Sequence, residues 1–286
     1  DVCYHSYKLD PKYKCTLTND KTRISKADVV IFRGRRLDKI PLPFDLRRVD
    51  QSWVFYEFEP PYKVWEKTNL TKYNGVFNLT FTHSFNADMA YTAYLSKQCV
   101  RNNARFNKYK SVDYTVNKTR RGAQIAWMVS ICKTQSQREY FVKVLQKHIP
   151  VDIYGACGEL KCGSNNLSTW KTDNCDERLF SNRNSYRFYL AFENSLCEDY
   201  ISEKLWRTMK MNIIPIVMGS VDYSTLLPRD TYINARDFET PEKLAVFLKK
   251  LIKDKKAYNG YVQRKSALDC HATMPYMPKQ CFLCKR

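Results

Sequence analysis

No run of about 18 uninterrupted apolar residues occurs in this chain, so no helix of it is expected to span a membrane. The charged-then-apolar pattern of a signal peptide is missing from its start. The first residue is Asp1 rather than Met, so an excised or processed region is expected, with any anchor lying upstream. G-x-x-x-x-G-K-[ST] and G-x-G-x-x-G are both absent, which removes P-loop and dinucleotide-fold readings. G-x-S-x-G is absent too, and none of the four histidines has a triad-like or metal-motif setting. His83 and His148 read as ordinary surface or core residues. No Asp-x-Asp pair exists, so the short carboxylate clamp for a metal–nucleotide complex is lacking. A diphosphate, if one is bound, is expected to be held by side-chain cations alone.

What is present is a chain of 286 residues, 44% hydrophobic, long enough for one large domain or two ordinary ones. Its net charge is +19, a field that attracts anions. Lys and Arg are scattered rather than clustered, which argues against nucleic acid as the partner. The eleven cysteines are an odd number, so at least one is free or pairs with another chain. Candidate N-glycosylation sequons begin at Asn69, Asn78, Asn117 and Asn166. Cysteines and sequons together favour a lumenal or secreted compartment.

Along the chain, "DVVIF" (28–32), "SWVFYEF" (52–58) and "VFNLTF" (76–81) read as strands separated by long polar stretches. A domain boundary is placed near Gly122, giving a region 1–122 and a region 123–286. Beyond it, strands at 123–132, 151–155, 186–192, 213–219 and 231–234 alternate with helical patterns at 136–148, 202–211 and 240–252. Ser136 and Glu139 form a capping-box pattern at the start of the first helix. Thr240 and Pro241 mark the start of the last, whose apolar stripe is Leu244, Phe247, Leu248 and Leu251. This alternation predicts an α/β fold with a parallel sheet, whose ligand belongs at the carboxyl ends of the strands beside helix N-termini.

Two cations fall at that place. Arg138 lies in the first turn after strand 123–132, and Lys204 in the first turn after strand 186–192. A helix N-terminus disfavours cations unless an anion is bound above it. Glu193, Asn194, Tyr200 and Glu203 crowd the second junction and offer donors and acceptors to a hydroxyl-rich group. The competing reading for this knot is a structural salt-bridge network joining strand to helix, and for Arg138 a solvated side chain. In the tail, Cys270, His271, Cys281 and Cys284 have the residue types of a zinc site.

The string "YLAFENSLCEDYISEKLWRTMKMNIIPIVMG" resembles the signature of the α1,3/4-fucosyltransferases. The likeness continues through "LLPRDTYINARDFETPEKLAVFLKKL" and upstream through "AWMVSICKTQSQREYFVKVLQKHIPVDIYGACG". In the N-terminal half only "WVFYEFEPPY" matches a family element. The resemblance implies a GT-B arrangement, two Rossmann-like α/β domains facing a cleft, the first holding the acceptor and the second GDP-fucose. It implies transfer with inversion and no essential metal, in the Golgi lumen. Arg138 and Lys204 would neutralise the diphosphate, and Glu193, Asn194, Tyr200 and Glu203 would complete the donor site. Glu59, in "FEPP", is the implied catalytic base, preferred to Glu57 because it stands at the strand end before Pro60 and Pro61. The family favours disulfides over zinc in the tail, including Cys281–Cys284. "VDIYGACGELKC" is closest to the invertebrate and plant branch that fucosylates the N-glycan core, so the innermost GlcNAc is the first acceptor expected. Lewis-type transfer to antennal GlcNAc is the second, and a non-catalytic glycan- or nucleotide-binding relative is the reading from another class.

Overall fold

The computed structural model describes residues 16–90, 99–116, 118–162, 175–180 and 185–270. These fall into two compact units, 16–90 and 99–270. Asn117, Asn166, His271, Cys281 and Cys284, named above, lie outside the described residues.

The first unit is built on a four-stranded parallel sheet of β1 (Val29–Arg33), β2 (Ser52–Glu57), β3 (Leu79–Thr82) and β4 (Met89–Ala90), in that order. Trp53 and Val54 of β2 and Phe81 of β3 are fully buried. The Trp53 indole packs against Phe32 with ring centres 4.7 Å apart and donates its N–H to Gln51. Asn78 closes the start of β3, its side-chain oxygen accepting from the Trp53 backbone N–H at 2.8 Å and from Arg47 at 2.7 Å. Asn69 is exposed, and its side chain accepts from the N–H and hydroxyl of Thr71.

The second unit opens with a short strand, β5 (Val100–Arg101), and a helix, Asn103–Tyr109. Its main sheet has five parallel strands: β6 (Ile125–Met128), β7 (Val151–Tyr154), β8 (Phe188–Phe192), β9 (Ile214–Met218) and β10 (Ile233–Asn234), in the spatial order β10-β9-β8-β6-β7. Every residue of β8 and β9 is buried. Strands covered on both faces need continuous apolar sequence, as "FYLAF" and "IPIVM" supply. Each fully buried Phe, Leu or Ile there contributes roughly 1.5–3 kcal/mol.

The helix Pro241–Lys253 begins as its sequence predicts. The Thr240 side chain accepts from the Lys243 N–H, Pro241 takes the first position, and Leu244, Leu248 and Leu251 are buried while Phe247 packs against the same core. The helix Arg138–Leu145 departs from expectation. Ser136 and Glu139 form no capping box, because Gln137 occupies the left-handed region at φ 52° and sends both side chains elsewhere. Glu139 accepts instead from the Thr134 hydroxyl and N–H, and Ser136 donates to the Glu193 carbonyl at 2.7 Å.

The expected boundary near Gly122 falls inside the second unit. Residues before it are tied there by long-range bonds: β5 pairs antiparallel with β11 (Leu268–Asp269), the Tyr114 N–H donates to Asn259, and Lys118 Nζ donates to Ser185 and the Tyr186 carbonyl. Disulfides join Cys99 to Cys270, Cys132 to Cys157 and Cys162 to Cys175. Cys270 is thereby removed from the zinc-type set.

Candidate active site

The strand order places a topological switch in the second unit. From β6 the chain moves outward to β7, then returns to β6's other side to lay down β8. Crevices beyond the carboxyl ends of strands at such a point are where open α/β sheets bind ligands. Here the crevice is widened. β6 and β8 pair only at Ile125↔Phe188 and Ala126↔Tyr189, while β8 continues to Phe192, so the two strands separate toward their carboxyl ends.

Arg138 fills the gap. It is buried, not solvated, at 3% exposure. Its Nη1 donates to the Phe192 carbonyl at 2.6 Å, and its Nη2 to the Ile131 carbonyl at 3.4 Å. The guanidinium carbon stands 5.6 Å from the centre of the Trp127 ring. Burial lowers its pKa from the ordinary arginine value, and the nearby Glu193 carboxylate acts the other way. An arginine stays charged under such a shift, so a fixed cation sits at the seam of the two strands.

The next residues of the chain make the other half of the site. Glu193 is fully buried, and its carboxylate accepts from the Ser202 N–H at 2.9 Å, from the Ser202 hydroxyl and from Lys204 Nζ at 3.0 Å. Lys204 also reaches the Ser202 hydroxyl at 2.6 Å and lies 3.7 Å from Glu203. Burial lowers the Lys204 pKa, but the Glu193 and Glu203 carboxylates outweigh it and hold the ammonium above the usual lysine value. Arg138 opposes them, which marks the two cations as electrostatic neighbours. The helical segment is shorter than its pattern predicts: Glu203–Trp206 is α-helical, with Ser202 as its cap, and Arg207–Lys210 continues as a 3₁₀ turn.

Around this ion pair Asn194, Ser195 and Tyr200 are buried, whereas the Glu203 side chain is 62% exposed. The Asn194 carbonyl accepts from the Ser136 N–H, and Tyr200 lies within the field of Arg138. Arg138 Nε, Asn194 Oδ1 and Ser195 Oγ have no hydrogen-bond partner. Each such buried group costs about 1–3 kcal/mol, and three of them gather at this crevice. The salt-bridge reading of the knot and its reading as a charged site therefore describe one arrangement: Glu193 holds Lys204 in place beside Arg138. Ser136 and Ser202 complete it and were not among the site residues expected from sequence. Ser202 had a signal, a serine before a helical pattern. Ser136 had none, since its partner lies 57 residues away.

In the first unit the two candidate carboxylates separate. Glu57 ends β2 and is 3% exposed. Its carboxylate accepts from the backbone N–H groups of Arg35 at 3.1 Å, Phe58 at 3.1 Å and Glu59 at 3.2 Å. Gly34 permits this approach, because a Cβ there would stand 2.7 Å from the Phe55 ring and 3.1 Å from the Glu57 Cβ. Glu59 lies beyond the strand, its side chain 34% exposed and 3.7 Å from Arg35 Nη2. Glu57 is thus occupied in shaping the loop that presents Glu59. The two do not share a continuing strand, because β2 ends at Glu57.

Two units, each with a parallel α/β sheet, are the architectural class to which GT-B glycosyltransferases belong. A solved structure titled α1,3-fucosyltransferase with GDP-fucose matches with a TM-score of 0.53 at 17% identity, over 91% of this chain and 77% of its own. The family model for glycosyltransferase family 10 (fucosyltransferase), C-terminal part, matches residues 117–286, and that for the fucosyltransferase N-terminal region matches residues 3–94. This chain belongs to glycosyltransferase family 10. Among curated relatives, α-(1,3)-fucosyltransferase C of Drosophila melanogaster is 33% identical over 96% of this chain and 65% of its own length. Glycoprotein 3-α-L-fucosyltransferase A of the same organism is 35% identical over 89% of this chain and 48% of its own. The chain thus spans less than two thirds of either relative's length.

Proposed function

We propose that this protein transfers L-fucose from GDP-fucose to the 3-hydroxyl of a GlcNAc residue in a glycan, with inversion and without requiring a metal ion. The innermost GlcNAc of N-glycans is the first acceptor, and the Golgi lumen is the place of action. The observation that carries the reading is the pair of cations, Arg138 and Lys204, held by Glu193 and the carbonyls of Phe192 and Ile131 at the switch point between β6 and β8.

Arg138 and Lys204 bind the diphosphate, with Asn194, Tyr200 and Glu203 contacting the nucleotide or fucose. Glu59 takes the proton of the acceptor hydroxyl as that oxygen bonds to the anomeric carbon. The bond from that carbon to the diphosphate breaks, and its electron pair leaves with GDP. One base and one displacement give inversion with no covalent intermediate. Charge grows on the departing diphosphate, so fixed cations stabilise the transition state more than the ground state.

The test is to mix the protein with GDP-fucose and an N-glycan and look for a mass gain of one deoxyhexose. A panel of acceptors with the core accessible or blocked then separates core from antennal transfer. Failure to modify any GlcNAc-bearing glycan while still binding GDP would favour the non-catalytic relative.

A further inference from the structure

The described tryptophans divide sharply. Trp53, Trp127 and Trp206 are buried, but Trp65 is 66% exposed. It ends the short helix Pro61–Trp65, which follows Glu59 by way of Pro60. The inward side of that helix is taken by Val64, 2% exposed, so the helix is anchored by one residue and presents the others. Tyr62, 42% exposed, is three positions from Trp65 and so shares a side of the helix with it. The Tyr62 ring is held in place. Lys63 Nζ lies 5.3 Å from the ring centre and is itself fixed by the Glu66 carboxylate at 3.2 Å, and that carboxylate raises the Tyr62 hydroxyl's pKa.

We propose that Trp65, assisted by Tyr62, is a stacking platform for a sugar ring of the acceptor, next to the ring that Glu59 deprotonates. This rests on the fucosyl-transfer reading and deepens it. The occupant is argued from continuity with Glu59. A helix rises about 1.5 Å per residue, so the Trp65 backbone lies about 6 Å along the axis from Pro61, a span on the scale of one or two sugar rings. An indole has an apolar face for the C–H face of a pyranose and an N–H for a hydroxyl, the combination that suits a half-wet site. Glu59 selects the hydroxyl that reacts, and Trp65 selects acceptors extended beyond it.

The experiment uses the whole chain in two measurements. In the first, steady-state transfer to an extended N-glycan and to a GlcNAc disaccharide is compared for the wild type, Trp65→Ala and Trp65→Phe. Trp65→Ala should raise KM for the extended acceptor about tenfold, leave kcat and the KM for GDP-fucose within about twofold, and barely change the disaccharide. Trp65→Phe should recover most of the loss. In the second, acceptor binding is titrated calorimetrically on Glu59→Gln with and without Trp65→Ala, and the added change should weaken binding about tenfold. An unchanged acceptor KM and Kd in Trp65→Ala, with the wild type active, overturns the platform. So does loss of self-association in Trp65→Ala with unchanged acceptor affinity, because the indole then serves a second copy of the chain. A wild type that transfers no fucose overturns the functional reading itself.

Discussion

Lys204 Nζ stands 3.0 Å from Glu193 Oε2, and this bond spans the change from buried strand to helix. Glu193 has no exposure to water, so its charge rests on the hydrogen bonds from Lys204 and Ser202 and on the nearby Arg138 guanidinium. Removing one member of such a pair costs more than the pair itself contributes, because it leaves the other buried and uncompensated. Lys204→Ala is therefore expected to lower stability by about 1–3 kcal/mol as well as turnover by about a hundredfold or more. Urea unfolding and single-turnover transfer measure the two effects separately. A variant that keeps both would remove Lys204 from the site.

Arg138 should resist even the conservative change. Its planar fork reaches the carbonyls of Phe192 and Ile131 at once, and a lysine offers a single point charge. Arg138→Lys is expected to weaken GDP binding about tenfold and to lower stability by about 1 kcal/mol. Titration calorimetry with GDP and a urea melt check these, and wild-type affinity would contradict the role.

The Cys132–Cys157 disulfide links the segments that follow β6 and β7, 25 residues apart. Gly155, at φ 99°, lets the second segment pass close to the first, since a Cβ there would stand 2.6 Å from the Val129 carbonyl. Cross-linking a loop of this size stabilises by about 3 kcal/mol. The Cys132→Ser, Cys157→Ser double variant should lose about that much in a denaturant titration. It should also weaken GDP binding, because Ile131, beside Cys132, supplies a carbonyl to Arg138.

Stability should rise with pH above neutrality. Lys265 is buried and donates to the carbonyls of Thr208 and Met211 at 2.7 and 2.6 Å, and burial takes its pKa down from 10.5 to about 7. Lys118 is taken down to about 7 as well, first by burial and then by the charges of Arg187 and Lys265. Unfolded lysines titrate near 10.4, so between about pH 7 and 10 the unfolded chain holds more protons than the folded one. Stability in that window therefore increases with pH, and below about pH 7 the cost of two buried ammonium groups is fully present. The urea midpoint should climb from pH 7 to pH 9, and Lys265→Met should flatten the climb. A wild-type midpoint that falls over the same range would contradict the assignment.

The central strands were legible because a strand buried on both faces has no choice of residues, so "FYLAF" and "IPIVM" announce themselves. The start of the helix at Pro241 was equally plain, since Thr240 and Pro241 each act locally. The charged junction at 193–204 was visible as an abrupt change of period. What could not be read were bonds between distant residues. Ser136 looked like a cap and became the partner of Glu193; residues 99–116 looked like the end of the first domain and joined the second through β11 and Asn259. The parting of β6 from β8, which gives Arg138 its place, depends on the pairing of strands 63 residues apart at Ile125 and Phe188 (188 − 125) and leaves no local trace. The sequence favoured Glu59 over Glu57 only by its place before Pro60 and Pro61; the three amide bonds that engage Glu57 left no trace there.

The most direct trial of the account is a calorimetric titration of GDP into the wild type, Arg138→Lys, Lys204→Ala and Glu59→Gln. Saturable binding to the wild type and to Glu59→Gln with equal affinity, weakened about tenfold or more in the two cation variants, is the predicted result. Equal affinity in all four proteins, or no uptake of GDP by the wild type, would contradict it.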